Sequence, residues 1–364
     1  MKALFVLDRL QDGGAQIQAL DLAVGLRESG IACRVVALYS EAKRSSHMGV
    51  ETSGLGVSTN STSFPLACLR LWNVCRRDRP DLVHSHAEFP NLASRIVCCW
   101  LGLPHFVTAH CEFPWNWRRN LGMGIERRSS FLTRRYFAVS EAVGRMLRED
   151  LHIRPDRSRV IPNWPPQPTE SHDADPLPPR GFPTLVNVAR LRKQKRQDIL
   201  IEAFRKVRRR FPEAVLWIAG EGPEESILRA FAGDGVQFLG YRRDVPRLLR
   251  AADLFVLSSD WEGMPLAVLE AMNEGVPVVS TDVAGIADLI QHGVSGRVVP
   301  RRNSAALAEE IIQCLNAPDQ ARAMGAKGKL VCDGLRDRGV AGYIASYREV
   351  LGGLANSAGG DPKP

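Results

Sequence analysis

Glu262 and Glu270, with seven residues between them, stand in the segment Ser258-Ser259-Asp260-Trp261-Glu262-Gly263-Met264-Pro265-Leu266-Ala267-Val268-Leu269-Glu270-Ala271-Met272. A buried strand is predicted to end at Leu257, Gly263 turns the chain, and Pro265 is predicted at the first position of a helix, where its missing N–H costs nothing. Glu262 then lies in the loop before the helix. Glu270 lies about one and a half turns inside it and leans toward the helix N-terminus, so both acids face one site. Amides around Met264, Leu266 and Ala267 add a positive helix end, suited to phosphate or hydroxyl oxygens. Carboxylates that accept hydrogen bonds from sugar hydroxyls beside such a helix end suggest a nucleotide-sugar site. The spacing alone fits two exposed glutamates on an ordinary helix better.

Upstream, Asn187-Val188-Ala189-Arg190-Leu191-Arg192-Lys193-Gln194-Lys195 follows another predicted strand, which ends at Val188. Arg190 and Lys195 project from that strand end, and two fixed cations offset a leaving diphosphate whose charge grows in the transition state. Arg192, Lys193 and Arg196 are expected to be merely solvated.

These stretches together resemble the GT-B fold glycosyltransferases of family 4, retaining enzymes whose signature is Glu, seven residues, Glu in the setting EGxxxxxLEAM, followed by PVV and a glycine-containing turn. The chain reads EGMPLAVLEAMNEGVPVVSTDVAGIADLI at that point. The resemblance implies two Rossmann-like doubly wound parallel-sheet domains facing each other across a cleft. It also implies transfer of a sugar from a nucleoside diphosphate donor to an acceptor hydroxyl with the anomeric configuration kept. Arg190 and Lys195 then bind the diphosphate, Glu270 the ribose hydroxyls, and Glu262 the donor-sugar hydroxyls, with backbone groups of Gly263, Met264, Pro265 and Leu266 nearby. Ala219-Gly220-Glu221-Gly222-Pro223 lies between these motifs. Phe238-Leu239-Gly240-Tyr241 is similar to the strand end whose backbone holds the base. Arg196 stands where the family commonly has glycine. A sugar-nucleotide epimerase on the same architecture, or a nucleotide-sugar-binding protein without activity, is the alternative.

In the first half, Gly13-Gly14-Ala15 follows the first predicted strand and opens a helix, so its backbone can approach an anion or a sugar closely. No further glycine completes G-x-G-x-x-G, which counts against a dinucleotide-binding dehydrogenase. The family often has GGAER here, and Gln16 and Ile17 replace its last two residues. His110, at the end of the predicted strand Phe106–Ala109, resembles the family histidine that contacts the donor sugar. His84 and His86 share one strand face, which with His110 offers a set of metal ligands as a minor alternative. Asn163, after Ile161-Pro162, resembles the family's hinge. No catalytic metal or other cofactor is expected, since Asp173-Ala174-Asp175, the only Asp-x-Asp, lies in a proline-rich stretch.

Elements that could hold these residues alternate almost throughout the 364 residues, apolar runs with helix-period segments, as in parallel sheets covered by crossover helices. Strands are predicted at Ala3–Leu7, Cys33–Leu38, Leu82–Ser85, Phe106–Ala109 and Tyr136–Val139. A second set covers Thr184–Val188, Val215–Ala219, Val236–Leu239, Leu254–Leu257 and Pro277–Ser280. Eight prolines between Pro162 and Pro183 interrupt the alternation. The expected division is an acceptor-side domain over 1–162, a linker over 163–183 and a donor domain over 184–335. A helix over 336–352 crosses back to the first domain, and 353–364 is a flexible tail. Ser40–Phe64, rich in Ser, Thr and Gly, is expected to be a mobile loop.

Hydrophobic residues at 45% and charged residues at 24% are globular averages, which excludes fibrous and disordered classes. Eight cysteines without CxxC spacing read as reduced thiols, and no run of 18 apolar residues marks a membrane span. A cytoplasmic protein is expected. The net charge of +8 favours anionic partners. Phe113–Tyr136 holds six arginines against Glu126 and interleaves Trp115, Trp117 and Phe131. Arg118, Arg119, Arg127 and Arg128 are therefore candidates for docking on an anionic inner-membrane surface beside a sugar or lipid-linked sugar acceptor, in preference to nucleic acid.

Overall fold

Five consecutive apolar residues, Ala3 to Leu7, are all buried in the first strand, as expected of a strand covered on both faces by crossover helices. The computed structural model describes the chain outside residues 11–12, 42–43, 59–62, 112–123, 168–175 and 359–364. Its strands are β1 (Lys2–Leu7), β2 (Ala32–Ala37), β3 (Arg44–His47), β4 (Val50–Gly54), β5 (Leu82–His86), β6 (His105–Ala109), β7 (Arg135–Ala138) and β8 (Ser158–Val160). A second group comprises β9 (Thr184–Val188), β10 (Val215–Ala219), β11 (Val236–Gly240), β12 (Leu254–Leu257), β13 (Val278–Thr281) and β14 (Arg297–Val299). The first group forms an eight-stranded sheet in the order β3-β4-β2-β1-β5-β6-β7-β8, and the second a six-stranded sheet in the order β11-β10-β9-β12-β13-β14. All pairings are parallel except β3 with β4. Helices at Gly14–Glu28, Phe64–Asp78, Glu88–Leu101, Gln197–Arg210, Leu266–Asn273, Ser304–Asn316 and Pro318–Cys332 connect and cover the strands. The fold class read from the alternating pattern is the one found.

Two compact units result, Met1–Asn163 with Arg336–Pro364, and Trp164–Leu335. Late in the proline stretch, the carbonyls of Pro176 and Pro179 accept from Arg242 Nη1 at 3.3 Å and Trp217 Nε1 at 3.2 Å, both within the second unit. The last helix runs Leu335–Ala358, longer than the expected 336–352, so the tail anticipated from residue 353 is helical as far as Ala358. Tyr347 on this helix is fully buried and meets His84 Nδ1 through its hydroxyl at 2.6 Å.

Ser40–Phe64 is the clearest departure from expectation. Its Ser- and Thr-rich middle forms the β3–β4 hairpin, and β4 pairs in parallel with β2. Met48 and Gly49 have φ of 44° and 81°, the two positive values of a type I′ turn that matches strand twist. Thr52 and Ser53 are buried although polar, and Arg34 Nη2 donates to the Ser53 hydroxyl at 3.0 Å. Hydroxyl residues with internal partners serve in strands, but in a sequence they look like loop. The strands β8 and β14 are three residues long, too short for periodicity to show.

Among the described residues no helix is long and apolar enough to cross a membrane.

Candidate active site

In the second sheet the strand order reverses between β9 and β12, and open α/β sheets bind ligands beyond the strand ends at such a switch point. The loop after β9 is Ala189–Arg196 and the loop after β12 is Ser258–Pro265. They are laced together. Asp260 N donates to the Gln194 carbonyl at 2.8 Å, and Gln194 Nε2 donates to the Trp261 carbonyl at 2.6 Å. The Ser258 hydroxyl donates to the Lys195 carbonyl at 2.8 Å. Across this seam Lys195 Nζ reaches Glu262 Oε1 at 2.5 Å, with both side chains largely buried. Two residues singled out 67 positions apart thus form a direct ion pair.

Glycines bring the backbone in close. A Cβ on Gly285, at φ 78°, would lie 2.5 Å from the Gly263 carbonyl oxygen and 2.8 Å from Met264 Cα, so the turn after β13 presses directly on the Glu262–Met264 turn. A Cβ on Gly222 would sit 2.2 Å from the Leu191 carbonyl oxygen, and one on Gly220, at φ 136°, 2.0 Å from that of Ala189. The Gly-Glu-Gly loop after β10 therefore backs the loop that carries Arg190. Arg190 is exposed just beyond β9, and its carbonyl accepts from Gln197 Nε2 at 3.1 Å.

Pro265 caps the helix Leu266–Asn273 rather than occupying its first position, a difference of one residue. The first-turn amides of Leu266 and Ala267 have no carbonyl four residues back to receive them. Glu270 is mostly buried on this helix, one turn before Glu274. Desolvation, with the Glu274 charge added, raises its carboxyl to about 7. At the neighbouring strand end, Gly240 has φ 65° and its carbonyl accepts from Gly220 N at 2.7 Å. Tyr241 is half-exposed, and its amide donates to Glu221 Oε1 at 3.2 Å, so part of the backbone expected to hold a base has partners within the protein.

Arg196 corrects the expectation of a merely solvated cation. It adopts the left-handed conformation at φ 49°, where glycine would be unstrained, and caps the helix Gln197–Arg210. Its guanidinium binds Asp198 at 2.8 Å and Asp260 at 3.3 Å, and these carboxylates push its pKa further up. Asp260 also receives Arg302 Nε at 3.0 Å on its carboxylate and Arg301 Nη1 at 3.0 Å on its carbonyl. Asp260, Gln194, Ser258 and Arg302 were missed as parts of the site's frame. The first three sit inside motifs that were quoted for other residues. Arg302 carries no local signal, because only the fold brings it to Asp260.

In the first sheet the order reverses between β1 and β5. Gly13 is buried at the N-cap of the helix Gly14–Glu28, in extended backbone, and its carbonyl accepts from Ile17 N at 2.9 Å; Gly14 is exposed at the first helical position. His110 follows β6, and its Nε2 lies 2.7 Å from Nδ1 of His86, the last residue of β5. Desolvation lowers His110 to about 4 and His86 well below the usual imidazole range, so both rings are neutral at pH 7. The alternative of a metal set through His84 does not hold. Its Nδ1 engages the Tyr347 hydroxyl and its Nε2 the Thr108 hydroxyl at 2.8 Å, leaving no ring nitrogen for an ion. The hinge candidate Asn163 is buried at the end of the first unit.

Arg118, Arg119, Trp115 and Trp117 lie outside the described residues. Arg127 and Arg128 are exposed on a short helix over 124–129, and Phe131 beyond it is 69% exposed. Glu126, the one acid of this stretch, is bound by the guanidinium of Arg95, which is fully buried.

Two doubly wound sheets, each with residues of the expected chemistry at its switch point, define the GT-B class. Solved structures similar to the chain agree on the fold. HepE of Anabaena in complex with UDP-glucose covers 95% of the chain and is itself covered completely, at a TM-score of 0.76 and 18% identity. Sucrose-phosphate synthase of Thermosynechococcus elongatus covers 97%, with TM-score 0.80 and 17% identity. The family models "Glycosyltransferase Family 4" and "Glycosyl transferases group 1" match residues 12–164 and 169–331. The chain belongs to the family 4 glycosyltransferases. Its curated relatives include N-acetyl-alpha-D-glucosaminyl L-malate synthase of Bacillus anthracis, 33% identical over 46% of the chain and 45% of that protein. A GDP-mannose-dependent alpha-(1-6)-phosphatidylinositol monomannoside mannosyltransferase of Mycobacterium tuberculosis is 35% identical over 40% of the chain and 42% of its own length. The chain thus spans less than half the length of these relatives.

Proposed function

We propose that the chain transfers a sugar from a nucleoside diphosphate donor to an acceptor hydroxyl and keeps the anomeric configuration. The observation that carries the reading is the Lys195–Glu262 ion pair at the β9/β12 switch point, a cation and a sugar-binding acid on adjoining loops. A diphosphate competes with Glu262 for the Lys195 ammonium. As Lys195 turns to phosphate, Glu262 is released to accept hydrogen bonds from the sugar hydroxyls. Arg190 adds a second cation to the diphosphate, and Glu270 as carboxylate accepts from both ribose hydroxyls. Gly263, Met264 and Leu266 present backbone amides to the same ligand, and Gly240 and Tyr241 flank the base. Gly13, Gly14 and His110 serve the sugar and acceptor side of the reaction.

In the step itself, the bond from the anomeric carbon to the phosphate oxygen breaks, and the acceptor oxygen bonds to that carbon from the same face. The departing phosphate oxygen takes the acceptor's proton. No side chain is a covalent nucleophile, so the paired-carboxylate logic of glycosidases does not transfer. Arg190 and Lys195 offset the charge that grows on the leaving group, and the reaction needs no metal ion. Activity in bacterial polysaccharide or lipid-linked glycan assembly is consistent with relatives named for lipid-linked acceptors, such as the diphosphoundecaprenol galactosyltransferase of Escherichia coli. Arg127 and Arg128, with Arg118 and Arg119, would then rest on an anionic membrane surface on the cytoplasmic side.

The test is a panel of UDP-, GDP- and ADP-sugars with EDTA present, scored for nucleotide release, glycoside product and epimerised donor. The reading expects acceptor-dependent release from at least one donor. Epimerised donor without product, or binding without turnover, would replace it with one of its two alternatives.

A further inference from the structure

His86 is a buried histidine with one partner too few. It closes β5, is 2% exposed, and is held by Phe5, stacked at 5.6 Å between centroids, and by the His84 ring at 4.5 Å. Its Nδ1 faces His110 Nε2 at 2.7 Å, while its Nε2 is buried with no hydrogen-bond partner. The next residue, Ala87, has φ 80° and ψ 160°, a region that L residues rarely enter. Strain of this kind persists only where the surroundings enforce it. His84 is tied to Tyr347 and Thr108, and His86 is paired with Thr108 across the β5–β6 ladder.

One proton occupies the contact between the two neutral rings, and there are two ways to place it. If His110 donates through Nε2, His86 must carry its own proton on Nε2, a buried N–H with no acceptor. If His86 donates through Nδ1, its Nε2 is a buried lone pair without a donor. Orphaned buried N–H groups are rarer than under-satisfied acceptors, and the bond made by one ring nitrogen dictates what the other carries. The second arrangement is the better satisfied.

We infer that His86 is a positioning residue that fixes the tautomer of His110, holding its proton on Nδ1 and making that atom a hydrogen-bond donor to a substrate oxygen. This rests on the proposed role of His110 at the donor sugar. It sharpens that role, because His110 then donates a hydrogen bond to an oxygen and does not abstract a proton.

Asparagine places an amide nitrogen where His86 Nδ1 lies, and glutamine places one where Nε2 lies. His86→Gln and His86→Ala are expected to lower kcat at least tenfold with KM changed less than threefold, whereas His86→Asn keeps kcat within about threefold of the parent. Equal kcat for His86→Asn and His86→Gln, or no loss in any variant, would overturn the inference. Independently of turnover and of the folding of any His86 variant, 15N spectra of histidine-labelled parent protein, with His110 assigned by its loss in His110→Ala, should show His110 Nδ1 protonated and Nε2 bare. The reverse pattern refutes the tautomer. Absence of turnover by the parent with every donor refutes the transferase reading instead, and the spectra still decide the tautomer.

Discussion

The two switch points have the same local strand order, β2-β1-β5-β6 in the first sheet and β10-β9-β12-β13 in the second, yet their chemistry is opposite. The second is built from charge. Lys195 pairs with Glu262, Arg196 and Arg302 converge on Asp260, and Glu270 waits on the following helix. The first is built from neutral rings and bare backbone: Gly13, Gly14, and an imidazole pair depressed well below the usual range. One topology offers the same position beyond its strand ends, and the residues placed there decide the ligand. A charged set suits a diphosphate with its sugar hydroxyls, and a neutral set suits groups that need hydrogen bonds without charge.

Breaking the charged set should cost most. Lys195→Ala or Glu262→Ala is expected to lower kcat/KM by about 10²- to 10³-fold, because each removes charge stabilisation at a reacting group and strands its partner. The far-ultraviolet circular dichroism should stay unchanged, and a steady-state assay on the best donor of the panel gives the loss. Losses under threefold would dissolve the contrast between the two ends. Replacing the neutral set should act on a different parameter. His110→Ala is expected to reduce kcat by about 10- to 100-fold while the affinity for the free nucleoside diphosphate stays within twofold, as calorimetry would measure.

Acidity sharpens the comparison, since the two ends shift in opposite senses. His84, His86 and His105 are buried and held neutral, with folded pKa values far below the unfolded value near 6.5. The unfolded chain therefore binds more protons below 6.5, and the first unit loses stability as pH falls through that point, by up to about 1.4 kcal/mol per pH unit for each ring. Glu270 works the other way. Raised from 4.5 to about 7, its stability contribution is present below pH 4.5 and is lost as pH rises through 7. Glu270→Gln should accordingly stabilise the protein at pH 8 by about 2 kcal/mol, after allowance for solvent screening, and have no effect at pH 4. Denaturant unfolding with hydrogen exchange resolved by unit would read both slopes, and slopes of the same sign would contradict the assignment.

The smallest effect concerns backbone. Arg196 holds a glycine-like φ of 49° and offsets that strain with two carboxylates. Arg196→Gly should leave stability within about 0.5 kcal/mol, losing ion pairs and gaining an unstrained residue, whereas Arg196→Ala keeps the strain, loses the pairs and should be about 1 kcal/mol less stable than the glycine variant. Thermal unfolding separates the two.

Much of this was legible in the chain itself, for identifiable reasons. Buried parallel strands read as plain apolar runs, so Leu254–Leu257 and Thr184–Val188 were found to the residue. The placing of Glu262 and Lys195 in loops after β12 and β9 was legible because each follows a plain apolar run within a dense local motif. Contacts made by distant residues were not legible. Nothing near Asp260 announces Arg302, and nothing near His84 announces Tyr347, 263 positions away. The β3–β4 hairpin was hidden because its buried positions include Thr52 and Ser53, whose partners only the folded sheet supplies. Arg196 misled for a related reason: a cation among cations looks solvated until the fold supplies carboxylates.

The central claim is that the β9/β12 switch point grips a nucleoside diphosphate through Lys195 and Arg190 on its phosphates and Glu270 on its ribose. Titration calorimetry of UDP, GDP and ADP against the parent protein, Lys195→Ala and Glu270→Gln tests it most directly. The account predicts that at least one nucleotide binds the parent and that each substitution weakens it by tenfold or more. Binding that is equally tight to all three proteins would contradict it.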